Sequence, residues 1–399
     1  MRLLHIIPAI SPVYGGPSQM VTGFSKALAA AGVDVTILTT HANGDAGQAP
    51  LTVPLGVPVA QDGYEIYYFR RAGWPRYKFS VGLLRWLRVH AVAFDLAHIH
   101  ALFSPVSSAA AAIARTRHLP YILRPLGTLD PIDLQKKRRL KQLYAMLIER
   151  QNLAGAAAVH FTSRQEADTA KRFGLTLPDW VLPLGVDLAD FAAAPTERYA
   201  IAQALRDRLQ IPPDRPIVLF LSRLDPKKGL DLLLPALEQV QAAGIPFHWI
   251  LAGSNPQDPA YEKRVSNRLQ SSPLRACTTQ TGFVVGLSKR DLLLAADLFV
   301  LPSYYENFGI AVAEAMAAGV PVLVSDAVPL HEDVAQAQAG WVFPCDIEAL
   351  THTLAIALQA ADRSQRSAAA QRWASEHYGW RAIAQRAIQK YEAILQQVR

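Results

Sequence analysis

Short apolar runs of strand length recur along this chain with helix-period segments between them, in two series separated by a proline-rich break. The first series is Leu3–Ile7, Val33–Leu38, Leu96–Ile99, Tyr121–Leu123, Ala157–Phe161 and Trp180–Leu182. The second is Ile217–Leu221, Phe247–Leu251, Thr278–Thr281, Leu298–Leu301 and Pro321–Val324. Strands buried on both faces read as continuous apolar runs, and strands alternating with helices imply parallel sheets covered by helices. The break runs from the turn Pro183-Leu184-Gly185-Val186-Asp187 to Ile211-Pro212-Pro213-Asp214-Arg215-Pro216, where the prolines cannot continue a helix. The expectation is therefore α/β, with two Rossmann-like doubly wound parallel-sheet domains. The first covers residues 1–190 and the second 191–380, with a linker near 185–200. A C-terminal helix over 381–399 packs back toward the first domain. The chain shows no internal sequence repeat.

Bulk properties agree with two cored domains. The 399 residues are 51% hydrophobic and 18% charged, an ordinary globular balance. The two cysteines, Cys277 and Cys345, form no CxxC pair, and no Cys/His cluster has zinc spacing, so a reducing compartment is expected. The N-terminal apolar run is too short for a signal peptide and reads as the first strand. The uncharged stretch between Asp95 and Arg115 is broken by His98, His100, Ser104 and Pro105 and reads as strand, loop and helix rather than a membrane span. Residues 1–190 carry 20 Lys/Arg against 13 Asp/Glu, whereas residues 191–399 carry 20 against 20. The whole excess of positive charge lies in the first half, which suits an acidic partner (an anionic lipid, a phosphorylated acceptor or nucleic acid) or a solvated basic surface.

Ligands of open parallel sheets bind at the carboxyl ends of strands, so the segments just after strands carry the information. Ser222-Arg223-Leu224-Asp225-Pro226-Lys227-Lys228-Gly229 follows one strand and precedes a helix. Arg223 and Lys228 beside a helix N-terminus suit a diphosphate. Tyr304-Tyr305-Glu306-Asn307-Phe308-Gly309-Ile310 leads into an alanine-rich helix that contains Glu314 and stops at Gly319 and Pro321. A carboxylate there is costly unless paired, and a ribose diol would satisfy it. The amides of Phe308, Gly309 and Ile310 face outward at the helix start. Tyr14-Gly15-Gly16-Pro17 follows the first strand without the spacing of a dinucleotide loop, which disfavours a nicotinamide site. His98 and His100 share one strand face opposite Ile99. His98 reads as structural, and His100, at the strand end, as a candidate ligand contact.

Two further segments combine cations with apolar groups. Gln135–Ile148 reads as a helix with a cationic start (Lys136, Lys137, Arg138, Arg139, Lys141) and an apolar set of Leu140, Leu143, Tyr144, Leu147 and Ile148. Arg70, Arg71, Trp74, Arg76, Tyr77, Lys78, Phe79, Arg85, Trp86 and Arg88 mix cations with aromatics. Both patterns suit an anionic membrane surface or a packed helix with a solvated face. No nucleic-acid recognition motif accompanies them.

Together, and in this order, the motifs resemble the retaining family 4 glycosyltransferases of the GT-B fold, the glycosyl transferases group 1, over nearly the whole chain. The resemblance implies two domains facing a central cleft. It implies that Arg223 and Lys228 hold a donor diphosphate, Glu314 the ribose, and Glu306 the transferred sugar. The backbone of Phe308, Gly309 and Ile310 would line phosphate and sugar, and Gly282, Phe283 and Val284 would hold the base by main chain. Gly15 and Gly16 would lie near the phosphates, and His100 near the sugar or acceptor. The implied catalytic set is Glu306, His100, Arg223 and Lys228, with no obligatory metal or other cofactor. The donor is a UDP- or GDP-sugar and the acceptor a glycan or lipid-linked molecule. The place is the cytoplasm, with peripheral membrane contact through the basic half. The segment Pro183-Leu184-Gly185 departs from the family, which more often has Asn before the Gly. The alternatives are a nucleotide-sugar epimerase on the same fold, which would convert a donor without an acceptor, and a non-enzymatic basic binding protein, on which Glu306 and Glu314 have no purpose.

Overall fold

The computed structural model describes residues 1–14, 16–44, 48–72, 78–129, 134, 142–256 and 258–398. Gly15, Trp74, Arg76, Tyr77 and the cationic run Lys136–Lys141 lie outside the described residues. The chain divides into two compact units: Met1–Gly185 together with Trp380–Arg399, and Val186–Gly379.

The first unit holds an eight-stranded sheet of order β3-β4-β2-β1-β5-β6-β7-β8. The strands are β1 Arg2–Ala9, β2 Asp34–Thr40, β3 Pro58–Ala60, β4 Glu65–Phe69, β5 Leu96–His100, β6 Tyr121–Arg124, β7 Ala158–Phe161 and β8 Asp179–Val181. All pairings are parallel except β3 with β4. Two apolar clusters cover the two faces. Leu3, Val21, Phe24, Val35 and Ile37 pack on one side, and Leu4, Ile6, Leu38, Leu83, Leu87 and Ala110 on the other. The helix Trp380–Val398 belongs to this unit: Ile383, Ala387, Tyr391 and Ile394 are buried in the cluster that contains Phe24 and Leu28. Gly23 and Gly185 make room for Trp380, because a Cβ at either would collide with its indole ring.

The second unit holds a six-stranded, all-parallel sheet of order β11-β10-β9-β12-β13-β14. Its strands are β9 Ile217–Leu221, β10 His248–Ala252, β11 Thr278–Gly282, β12 Leu298–Leu301, β13 Val322–Ser325 and β14 Gly340–Phe343. β9, β10 and β12 are buried at every residue, as their apolar runs predict.

Three strands escaped the sequence reading. β3 and β4 form a hairpin at the sheet edge, and β14 is a four-residue edge strand that begins at a glycine. Of the expected basic helix, residues 142–148 are described and are helical. Ala145–Glu149 is a π turn, and Leu143, Met146, Leu147 and Ile148 are exposed rather than packed. Trp86 is packed instead of free for a membrane: its ring lies 4.8 Å from Tyr67 and 4.2 Å from His90. Among the described residues no helix is long and apolar enough to cross a membrane. Cys277 and Cys345 are free thiols.

Candidate active site

In an open parallel sheet the crevice forms where strand order reverses, beyond the carboxyl ends of the two central strands. In the second sheet those strands are β9 and β12. The loop after β9 is fixed from both sides. Asn255 Nδ2 donates to the Leu224 carbonyl (2.9 Å), and Asp225 accepts from the Lys227 amide (3.1 Å). Gly229 then turns the chain into the helix Leu230–Ala242 at φ +71°, and a side chain there would collide with the Pro302 carbonyl after β12. A hydrogen bond from the Tyr304 amide to the Lys227 carbonyl (2.8 Å) ties the same two loops together. Lys228 is thereby turned inward and buried, while Arg223 stays exposed and makes no ion pair among the described residues.

The loop after β12 presents the partner. Glu306 Oε1 accepts from Lys228 Nζ and from Ser303 Oγ (3.0 Å). The Ser303 carbonyl is held in turn by Ser325 Oγ at 2.6 Å. Gly309, at φ +91°, starts the helix Ile310–Ala317. The amides of Phe308, Gly309 and Ile310 take part in no described hydrogen bond, as a first helical turn requires. Glu314 on that helix is half-buried and pairs with Lys289 Nζ at 2.6 Å. Its cost is therefore met within the unit by a lysine that the sequence reading did not single out. Lys289 lies on the helix Gly286–Ala295, and only the fold brings it to Glu314. Gly282 ends β11 at φ +68°, and Phe283 beyond it is 73% exposed.

In the first unit the reversal lies between β1 and β5. Gly16 starts the helix Gly16–Ala30 after β1. His100 ends β5 but has no solvent exposure. Its ring stacks on His98 (4.6 Å) and His5 (5.2 Å), so the two strand histidines do share a face, in the core. His5, His160, Arg124 and Tyr391 complete the cluster, and none was legible as a partner. The parallel registers His5↔His98 and His100↔Arg124 bring them together.

The proton positions in half of this cluster follow from its hydrogen bonds. His160 Nε2 faces the Leu182 carbonyl (3.0 Å) and must donate to it. Neutral His160 then accepts at Nδ1 from His98 Nε2 (3.1 Å), and His98 accepts at Nδ1 from the Tyr391 hydroxyl (2.9 Å). His5 Nδ1 and His100 Nε2 share one further proton at 3.0 Å. Burial, then the Arg124 charge, pushes His5 down to about 3. Burial first, then neighbouring imidazoles and Arg124, holds His98 and His100 well below the ordinary histidine value. His160 is likewise held down by burial and then Arg124. The ring nitrogens of His5, His98 and His100 lie within 4.8 Å of one another, a metal-like grouping that sequence spacing did not show. Both nitrogens of His98 are already used, however, and the neighbouring Arg124 cation opposes a metal ion.

Two measurements check this geometry. The Lys228 and Glu306 side chains are 10% and 12% exposed, and removing one member of a buried pair strands the other's charge. Lys228→Ala should lower the unfolding free energy by about 3–5 kcal/mol, with part recovered in Lys228→Ala/Glu306→Ala. Arg223→Ala should stay within about 0.5 kcal/mol. Equal losses for Lys228→Ala and Arg223→Ala in denaturant titrations would contradict the pairing. The second check is pH. The four histidines are neutral when folded but protonate near 6.5 when unfolded, so the unfolded chain takes up protons first as pH falls. Their contribution is present above pH 6.5 and is lost below it, by about 1.4 kcal/mol per pH unit for each histidine. Stability of the first unit that is flat from about pH 7.5 to 5 would contradict a neutral cluster.

Comparisons with known proteins agree with this architecture. A model of the glycosyl transferase 4-like domain matches residues 15–185, and a model of glycosyl transferases group 1 matches residues 202–373. A D-inositol 3-phosphate glycosyltransferase of Xylanimonas cellulosilytica is 27% identical over 95% of this chain and 93% of its own length. A putative teichuronic acid biosynthesis glycosyltransferase of Bacillus subtilis is 28% identical over 63% of this chain and 58% of its own. Among solved structures, sucrose-phosphate synthase from Thermosynechococcus elongatus superposes with a TM-score of 0.77 over 100% of both chains at 23% identity. Anabaena HepE, solved in complex with UDP and glucose, superposes with a TM-score of 0.72 at 19% identity, over 98% of this chain and 100% of its own. Both are GT-B likenesses of fold. With the two family models falling in turn on its two units and a relative matching along nearly all its length, this chain belongs to the family 4 glycosyltransferases of the GT-B fold, glycosyl transferases group 1, and is an enzyme.

Proposed function

We propose that the chain transfers a sugar, with retention, from a UDP- or GDP-linked donor held by the second unit to a glycan or lipid-linked acceptor held by the first. The observation that carries this is the grouping at the β9/β12 reversal. An exposed arginine and an inward lysine paired with Glu306 stand on the loops after those strands, with three amides free of described hydrogen bonds at the start of the helix that carries Glu314. Arg223, Lys228 and the helix N-terminus would hold the diphosphate, and Glu314 would exchange Lys289 for the ribose hydroxyls. The exposed Phe283 and the main chain of Gly282 and Val284 offer a face and polar groups for the base. A likeness to a structure bound to UDP and glucose supports a nucleotide-sugar donor.

The reaction breaks the bond from the anomeric carbon to the diphosphate oxygen, and the electron pair leaves on that oxygen. Arg223, Lys228 and the amides stabilise the charge as it develops, so the reading requires no metal. Glu306 positions the sugar and stabilises its oxocarbenium character. The acceptor hydroxyl bonds to the same face, and its proton passes to the departing diphosphate. His100 has its place in this reading behind the acceptor surface, as a buried group at the end of β5. The basic balance of the first half fits an anionic acceptor, in keeping with a relative that acts on D-inositol 3-phosphate. A role in polysaccharide or glycolipid synthesis is supported by the teichuronic acid relative.

Arg223→Ala should weaken nucleotide-sugar binding about 10- to 100-fold in calorimetry, screened with UDP- and GDP-sugars, because a charge-assisted contact is lost while the fold is kept. Unchanged affinity would overturn the assignment. Peripheral contact with an anionic membrane at the cytoplasmic face is a second element of the reading. It rests on exposed Leu143, Met146 and Leu147 directly after the cationic run in sequence. Flotation with phosphatidylglycerol vesicles but not with phosphatidylcholine vesicles is the expected result, and equal flotation with both, or with neither, would remove it.

A further inference from the structure

The loop after β5 stands at the reversal point of the first sheet, and it is strained. Ala101 and Phe103, neither of them glycine, adopt φ of +69° and +58°. Side chains crowd the backbone in that region, so such residues persist only where their surroundings hold them. Glu149 supplies the hold. Its carboxylate is fully buried and accepts from the Phe103 amide (2.9 Å) and from Ser108 Oγ (2.6 Å) at the start of the following helix. Asn152 Nδ2 donates to it more weakly, at 3.4 Å.

Among the described residues Glu149 forms no ion pair, and burial raises its carboxyl above the ordinary range against the pull of these three hydrogen bonds. A core selected for stability alone would place an apolar or amide side chain here, because an unpaired buried carboxylate is costly. Glu149 also closes the π turn Ala145–Glu149, a rare insertion that is frequent at functional sites. The neighbouring loop repeats the device. After β6, Leu126 and Gly127 adopt φ of +56° and +75°. Glu166 accepts there from the Gly127 amide (3.1 Å) and from the Thr162 amide (2.7 Å).

We propose that Glu149 is a positioning residue, clamping the strained loop Ala101–Phe103 at the β1/β5 reversal in the conformation that seats the acceptor. This rests on the reading that the first unit binds the acceptor. It goes beyond that reading in naming a buried group of the first unit that acts through the Phe103 amide. Glutamine keeps an acceptor oxygen at the same place, whereas alanine keeps none.

Glu149→Ala and Glu149→Gln test it in two ways. Amide exchange read by mass spectrometry needs no substrate. The segment containing Phe103 should exchange faster in Glu149→Ala and remain close to wild type in Glu149→Gln, and unchanged exchange in Glu149→Ala would overturn the clamp. Steady-state transfer uses the UDP- or GDP-sugar that the wild-type chain turns over. Glu149→Ala should lower kcat/KM for the acceptor by at least about tenfold, the scale of a misplaced contact surface. Donor KM and donor hydrolysis by water should stay within about twofold. Glu149→Gln should recover most of the loss. An unaltered acceptor kcat/KM, an equal loss in donor hydrolysis, or no rescue by glutamine would each overturn the proposal. Failure of the underlying reading shows separately, as a wild-type chain that transfers no sugar from either class of donor.

Discussion

The site of the second unit depends on one close approach of backbone to backbone. Gly229, in a left-handed conformation and without a Cβ, lies against the Pro302 carbonyl. The loops after β9 and β12 are thereby drawn together, and the Tyr304 amide closes the contact on Lys227. Lys228 is turned inward, only 10% exposed, and meets Glu306, which Ser303 holds from the other side. Arg223 lies ahead of this contact and remains exposed. The same few residues thus divide two cations between different tasks. One is paired with a buried carboxylate, and the other is exposed and makes no ion pair among the described residues.

The first unit solves a different electrostatic problem. Four imidazoles and Arg124 occupy the core beneath the carboxyl ends of β1, β5, β6 and β7. A cluster of this kind survives burial only if the rings stay neutral and donate in sequence. The chain Tyr391, His98, His160 and Leu182 does so without an orphan. Tyr391 comes from the last helix, so this relay fastens the C-terminal segment to the sheet alongside the apolar contacts of Ile383 and Ile394. Above the relay, the carboxylates of Glu149 and Glu166 accept from the Phe103 and Gly127 amides of rim loops that hold left-handed residues.

The layers of both units were legible because they rest on local pattern. Runs such as Ile217–Leu221 and Leu298–Leu301 are apolar throughout and bounded by turn residues. The anion-binding character of Arg223 and Lys228 was legible for the same reason, since a strand end and a helix start adjoin them in sequence. What the sequence concealed is non-local. The partners of Glu306 and Glu314 lie 78 and 25 residues away, and only the sheet order brings Lys228 and Lys289 to them. His5 sits inside an apolar strand and gives no sign of His100, 95 residues on. The β3–β4 hairpin and β14 are edge elements, where one-sided burial leaves weaker patterns.

The central claim is that the cations at the β9/β12 reversal are a diphosphate site whose carboxylates exchange lysine partners for donor hydroxyls. A crystal structure of the chain with the nucleotide sugar that it binds tests this most directly. The account predicts diphosphate oxygens on Arg223, Lys228 and the amides of Gly309 and Ile310, with the ribose on Glu314 and Lys289 moved away. A nucleotide bound elsewhere, with the Lys228–Glu306 and Lys289–Glu314 pairs undisturbed, would contradict it.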